Sequence, residues 1–149
     1  MRNTIVHLSK SSKMVIGTLV MVCGLFNLPP IVEGAQKFDA TVIDTNGDKS
    51  HMKNFRFYYE EQLNDTPFVS HELRYMPVKK GASTIQVQFA NIKKIHISSN
   101  GKEPELTIHL HNGKTGKFPL GIAGSFRGES DFGEMDMPSS GITSIILKK

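Results

Sequence analysis

The whole chain contains one cysteine, Cys23, and it lies within the first 35 residues. Processed beyond that point, the chain would carry no disulfide framework and no thiol nucleophile. An oxidising compartment permits disulfides without requiring them, so their absence does not argue against export. Signatures of catalysis are also missing. No serine sits in a nucleophile-elbow motif. Gly121, Gly124 and Gly128 do not match the spacing of a phosphate loop, and no helical pattern follows them. Catalytic carboxylates can still be assembled from distant strands, so a scattered hydrolase site stays open at this level. No basic stripe interleaved with aromatics is present, which argues against nucleic acid as a partner. Lys79-Lys80, Lys93-Lys94 and Lys148-Lys149 are isolated pairs that read as solvated, protected strand ends.

The N-terminus, by contrast, is rich in signal. Arg2, Lys10 and Lys13 precede an uncharged run from Met14 to Val32, interrupted by Pro29-Pro30 and followed by Gly34-Ala35. A basic start, an apolar centre and a small-residue exit are the parts of an export signal. The expected signal peptide is 1–35, with cleavage near Gly34 or Ala35. A cut after Gly34 places Val32 at the third position back, which suits a pocket for small uncharged side chains better than Glu33 does. Two other readings remain: an uncleaved anchor, for which Pro29-Pro30 leaves the helix short of the ~20 apolar residues a span requires, and acylation at Cys23, where Val22 is larger than the small residue expected before it. Export places the working domain in the periplasm or outside the cell.

Removing 35 of 149 residues leaves 114, one domain at 36–149 that can bury a core without staples. Three of the 18 basic residues and one of the 14 acidic ones fall in the signal, so the remaining balance is 15 − 13 = +2.

Within 36–149 the hydrophobic pattern alternates. Phe38, Ala40 and Val42; Phe55, Phe57 and Tyr59; Ile85, Val87 and Phe89; Leu106, Ile108 and Leu110 each skip one residue, the period of a half-buried strand. Asn46-Gly47, Asn100-Gly101 and Asn112-Gly113 supply tight hairpin turns. The segment Glu60 to Pro67 reads as a loop, and Phe68 to Val78 as one strand ending near Pro77. The expected fold is all-β, a small antiparallel sandwich or partly open barrel of about eight strands.

A weak internal repeat runs through the second half. Ile85, Val87, Ile92, Ile95 and Ile97 correspond to Met135, Met137, Ile142, Ile145 and Leu147 at an offset of 50. Ile92 is out of phase with Ile95 and Ile97, so a bend or bulge must fall between Ile92 and Ile95 if all three face one core, and the second copy should share it. Two copies suit a pseudo-symmetric domain rather than a solenoid.

The segment Gly128 to Glu134, then Met135 to Pro138 and Ile142-Thr143-Ser144-Ile145, resembles the closing G-x-x-D-F-G…P…I-x-x-I motif of an uncharacterised bacterial exported β-domain. The preceding Ile92-Lys93-Lys94-Ile95 and the hairpin from Thr107 to Gly113 match that domain's first half, so the resemblance covers Ile85 to Leu147. It implies fold and location, and no activity.

Three groups could hold a metal ion. His109 and His111, two apart on a strand, share a face, and His96 on a neighbouring strand could add a third imidazole for zinc or copper. The plainer reading places His109 and His111 on the solvent face opposite Leu106, Ile108 and Leu110. Met135 and Met137 are thioethers of the kind that suit Cu(I), but their repeat positions make them core fillers. Asp44, Asn46 and Asp48 open like a calcium loop, yet Lys49 and Phe55 stand where that loop needs Gly and Glu. The expected function is therefore an exported, non-enzymatic β-module that binds through a sheet face or edge, without a cofactor. Its partner would be an envelope protein or glycan, with membrane contact only through an uncleaved signal. The alternative is a periplasmic metal-binding protein using His96, His109 and His111.

Overall fold

The computed structural model describes residues 36–65, 67–99 and 103–148. The export segment 1–35 and the Asn100-Gly101 turn lie outside the described residues. Among the described residues the protein is all-β, with no α-helix and no closed barrel. The strands number eleven rather than about eight. They are β1 (Asp39–Asp44), β2 (Lys49–Glu61), β3 (Val69–Leu73), β4 (Tyr75–Lys80), β5 (Ser83–Gln88), β6 (Ile92–Ser98), β7 (Glu105–Leu110), β8 (Thr115–Pro119), β9 (Ser125–Ser130), β10 (Gly133–Pro138) and β11 (Ile142–Lys148). One-turn 3-10 helices, Phe89–Asn91 and Ser139–Gly141, precede β6 and β11. The main antiparallel sheet runs β10-β9-β2-β1-β11-β6-β7-β8, with β3 also on β2, while β4 and β5 form a separate hairpin.

Two segments differ from the sequence expectation. β2 continues through Glu60 and Glu61, where a loop was expected, because β3 pairs with its C-terminal half. The segment Phe68 to Val78 is broken at Arg74 into β3 and β4, and β4 runs through Pro77 instead of ending there.

The repeat is larger than the sequence suggested. Adding 50 to the first residue of β4, β5, β6 and the first 3-10 helix gives 125, 133, 142 and 139, the starts of β9, β10, β11 and the second 3-10 helix. The inferred corner is present in both copies. Ile92 pairs with Leu110 and Lys94 with His109, leaving Lys93 as an extra residue. Asp44 pairs with Ile142 and Ile43 with Ser144, leaving Thr143 as its equivalent. These bulges bring Ile92, Ile95 and Ile97, and likewise Ile142, Ile145 and Leu147, onto the core side, all 5% exposed or less.

A second correspondence completes the symmetry. Adding 66 to β1 (39–44) gives β7 (105–110), and adding 66 to 49–53 gives β8 (115–119). The turns match as well. Gly47 and Gly113, each after an asparagine, have φ of 89° and 85°, a region open mainly to glycine. The N–H of Thr45 donates to the Gly141 carbonyl at 3.1 Å, and that of His111 to the Asn91 carbonyl at 2.9 Å. The domain is thus two β-β-(3-10)-β-β-β units. The first is continuous (75–119); the second joins β9, β10 and β11 to the N-terminal hairpin β1–β2.

The core lies along the shared inner face. Phe55 stacks on Phe126 with centroids 5.4 Å apart, and Phe89 contacts both Phe55 (5.3 Å) and Phe38 (5.9 Å). Such aromatic pairs contribute ~1 kcal/mol beyond the area they bury.

Candidate functional site

The two units close differently, and the difference leaves a groove. In the second unit β9 is laddered onto β2, with Arg127 opposite Arg56, Phe126 opposite Phe57 and Ser125 opposite Tyr58. β2 manages this by a bulge: Asn54 and Phe55 together oppose Gly128, and Asn54 sits at φ 51°, a left-handed conformation that asparagine tolerates. A Cβ on Gly128 would lie 2.7 Å from Met52 Cβ, so this seam needs a glycine.

In the first unit the matching seam, β4 against β8, is reduced to one bridge, Val78 with Leu120, and one bond from the Gly121 N–H to the Pro77 carbonyl at 3.0 Å. N–H and C=O of a strand residue point to the same side. The donor that Pro77 lacks is therefore on the β8 side, and the ladder cannot propagate there. Pro77 is the counterpart of Arg127 (77 + 50).

Beside this weak seam opens a groove of about 350 Å³. Ile85 and Val87 of β5 form one wall, Ile108 and Leu110 of β7 the floor, and Gly116 and Phe118 of β8 the other wall. Polar groups at the rim are Gln86, Gln88, Asn91, Lys114 and Thr115. The Phe118 ring folds over Gly116, where a Cβ would lie 2.5 Å from Cε2, so the missing side chain gives the ring its place. Among the described residues β5 pairs only with β4, so its outer edge presents unpaired backbone N–H and C=O groups beside the groove.

The counterpart positions have a different character. Ile85 and Val87 correspond to Met135 and Met137, and all four are partly buried and packed against the core, so the pairs differ in side-chain shape and not in burial. Leu110, Lys114 and Gly116 correspond to Asp44, Asp48 and Ser50 (−66). Asp44 Oδ1 accepts from the N–H groups of Asn46 and Asp48 at 2.8 and 2.9 Å, so its carboxylate is used in shaping the hairpin turn.

The three histidines are not brought together. β7 ends at Leu110, so His111 begins the turn rather than sharing a strand face with His109. His109 Nδ1 is hydrogen-bonded to Thr115 Oγ1 at 3.0 Å. His96, exposed on β6, lies opposite Thr107. Among the described residues no three His, Cys, Asp or Glu side chains converge as a metal centre. His111 leaves the strand because β7 gives way to the Asn112-Gly113 turn directly after Leu110.

The outer face of β10-β9-β2-β3 carries a charge network that sequence reasoning missed. Buried Arg56 donates to Glu72 at 2.8 Å and to Glu134 at 2.5 Å. Arg127 donates to Asp136 at 2.7 Å and lies over the Tyr58 ring, 3.2 Å from its centroid. Burial alone would lower the Arg127 pKa, but the bond and charge of Asp136, helped by Tyr58, outweigh it and raise the value. The partners of Arg56 and Arg127 are all supplied by this sheet, and that marks the network as structural. No family model, no curated protein and no solved structure matches this chain.

Proposed function

We propose that this is an exported, non-enzymatic binding module whose ligand is an extended segment of a cell-envelope protein with alternating apolar side chains. The single observation that carries the reading is the apolar groove flanked by the free edge of β5. An added strand would hydrogen-bond to that edge through its backbone and place every second side chain between Val87 and Phe118. Export is supported by the basic, apolar and small-residue order of the N-terminus. A bacterial envelope as the setting rests on the resemblance around Gly128 to Ile145.

The test is an NMR titration of the native protein with an acetylated pentapeptide of alternating valine and threonine. Amide shifts should concentrate at Gln86, Gln88 and Thr115, and N-methylation of the edge-facing residues of the peptide should abolish them. A titration that leaves those amides unmoved, or moves the face around Arg127 instead, would overturn the reading.

A further inference from the structure

We propose that the groove also receives a second copy of this chain, which inserts Phe132 at the tip of its β9–β10 hairpin rather than adding a strand to β5. The inference rests on the groove being a binding site and names a further partner. Phe132 is 103% exposed, the extreme among the large apolar side chains of the described residues. Its position is held: Ser130 Oγ accepts from the Phe132 N–H at 3.2 Å and donates to the Gly133 carbonyl at 2.9 Å. A rigid turn presenting a bare aromatic ring loses little conformational freedom on docking, the economy that makes aromatic anchors effective.

Charge complementarity points to the same partner. The unit containing the groove, 75–119, has seven lysines and two glutamates, 7 − 2 = +5. The unit containing the tip, 39–53 with 125–148, has four basic and seven acidic residues, 4 − 7 = −3. Glu129, Asp131 and Glu134 flank Phe132; Glu134 is held by Arg56 at 2.5 Å and Glu129 accepts from Asn54 at 2.9 Å, while the exposed Asp131 is paired with the exposed Lys53 at 3.3 Å. Lys114 stands at the rim of the groove. The symmetry-related features are absent: the other hairpin tip has Ala82 in place of Phe132, and methionines replace the groove's Ile85 and Val87. Plug and socket therefore lie on different units of one molecule. Their contact is heterologous, and it propagates head to tail unless the rotation closes a ring. The acidic tip disfavours the main rival, insertion of Phe132 into an anionic lipid surface.

Sedimentation velocity of the native protein tests this. Wild type should associate with rising concentration, and added salt should weaken the association. Phe132→Ser, a change at a fully exposed position, should remain monomeric, as should Val87→Arg; if Val87→Arg proves misfolded, Lys114→Asp takes its place. Mixing the plug-less and socket-blocked variants should give a 1:1 heterodimer and nothing larger, an outcome that a symmetric contact does not produce. Asp131→Lys should restore association to Lys114→Asp. Wild type that stays monomeric at its highest soluble concentration overturns the inference. If the pentapeptide still shifts the groove amides, the binding-module reading survives; if it does not, both fall. Monomeric protein that binds lipid vesicles through Phe132 would replace the second copy with a membrane.

Discussion

Ile95 and Ile145, fifty positions apart, are direct cross-strand partners at the junction of β6 and β11, both fully buried. Their neighbours pair reciprocally, Lys94 with Ile146 and His96 with Ser144, which is the register a two-fold axis through the Ile95–Ile145 pair requires. The two units therefore meet at one apolar contact made by equivalent residues.

Truncating either isoleucine to alanine should cost about 2–5 kcal/mol, the range for large-to-small changes in a packed core. Because the two side chains share a contact, the double variant should lose less than the sum. Urea unfolding of the two single variants and the double variant checks both statements, and a single-variant loss under ~1 kcal/mol would contradict the packing described.

Two glycines at the closed seam should resist substitution for a steric reason. A Cβ on Gly124 would lie 2.4 Å from the Tyr58 carbonyl oxygen, and one on Gly128 would lie 2.7 Å from Met52 Cβ and 3.0 Å from the Lys53 carbonyl oxygen. Gly124→Ala and Gly128→Ala should each destabilise by about 1–3 kcal/mol through overpacking. Gly141→Ala, whose nearest neighbour would be Pro138 Cγ at 3.7 Å, should be close to neutral. Thermal melts of the three variants give the ranking.

Arg56 is buried, whereas its partners Glu72 and Glu134 have about half of their side chains in solvent. Removing both carboxylates strands a buried cation and should cost about 3 kcal/mol. Arg56→Met leaves two carboxylates that water can solvate and should cost less. Chemical denaturation of Arg56→Met and of Glu72→Ala with Glu134→Ala tests the order, and a reversal would mean that Arg56 is not held by these two residues.

Tyr59 should govern part of the alkaline limb of stability. Burial, then the charge of Glu61 and the neighbouring Tyr75, raises its pKa above the ordinary 10.0. The unfolded chain then loses the phenol proton first. The contribution is present in full below pH 10 and is lost as pH climbs through the raised folded value. Tyr59→Phe, which keeps a ring to stack on His71, should flatten the fall in stability above pH 10 relative to wild type. Urea midpoints measured across that range for both proteins would show the difference.

Zinc and copper titrations address the histidines. With no three ligating side chains converging around His96, His109 and His111 among the described residues, calorimetry should register no stoichiometric site. Tight binding that disappears in His109→Ala with His111→Ala would require the β7–β8 turn to rearrange.

Alternation was enough to locate β1, β5 and β7, because each sets an apolar side chain at every second position against the core. Parity was enough to require the corners at Lys93 and Thr143, because Ile92 and Ile142 cannot otherwise share a face with Ile95 and Ile145. The first strands of each repeat escaped notice because β4 and β9 share geometry and not residues: Val78 matches Gly128, and Pro77 matches Arg127. The length of β2 was hidden for a related reason. Asn54, the residue at its bulge, resets the phase, and the polar run after Tyr59 is an outer portion of strand held by β3. The groove was not legible at all. It arises where Pro77 halts a ladder and Gly116 gives the Phe118 ring its place, and nothing local in either segment announces that the two will meet.

Asp39 and Lys148 are paired neighbours on β1 and β11. Where the first unit runs from β6 into β7 through positions 99–104, the second has the two extremities of the folded domain lying side by side. The β6-to-β7 and β11-to-β1 junctions are in this sense equivalent joints of the strand order. Sewing those extremities together and opening the 99–104 connection instead would reorder the gene without asking any strand to find a new neighbour.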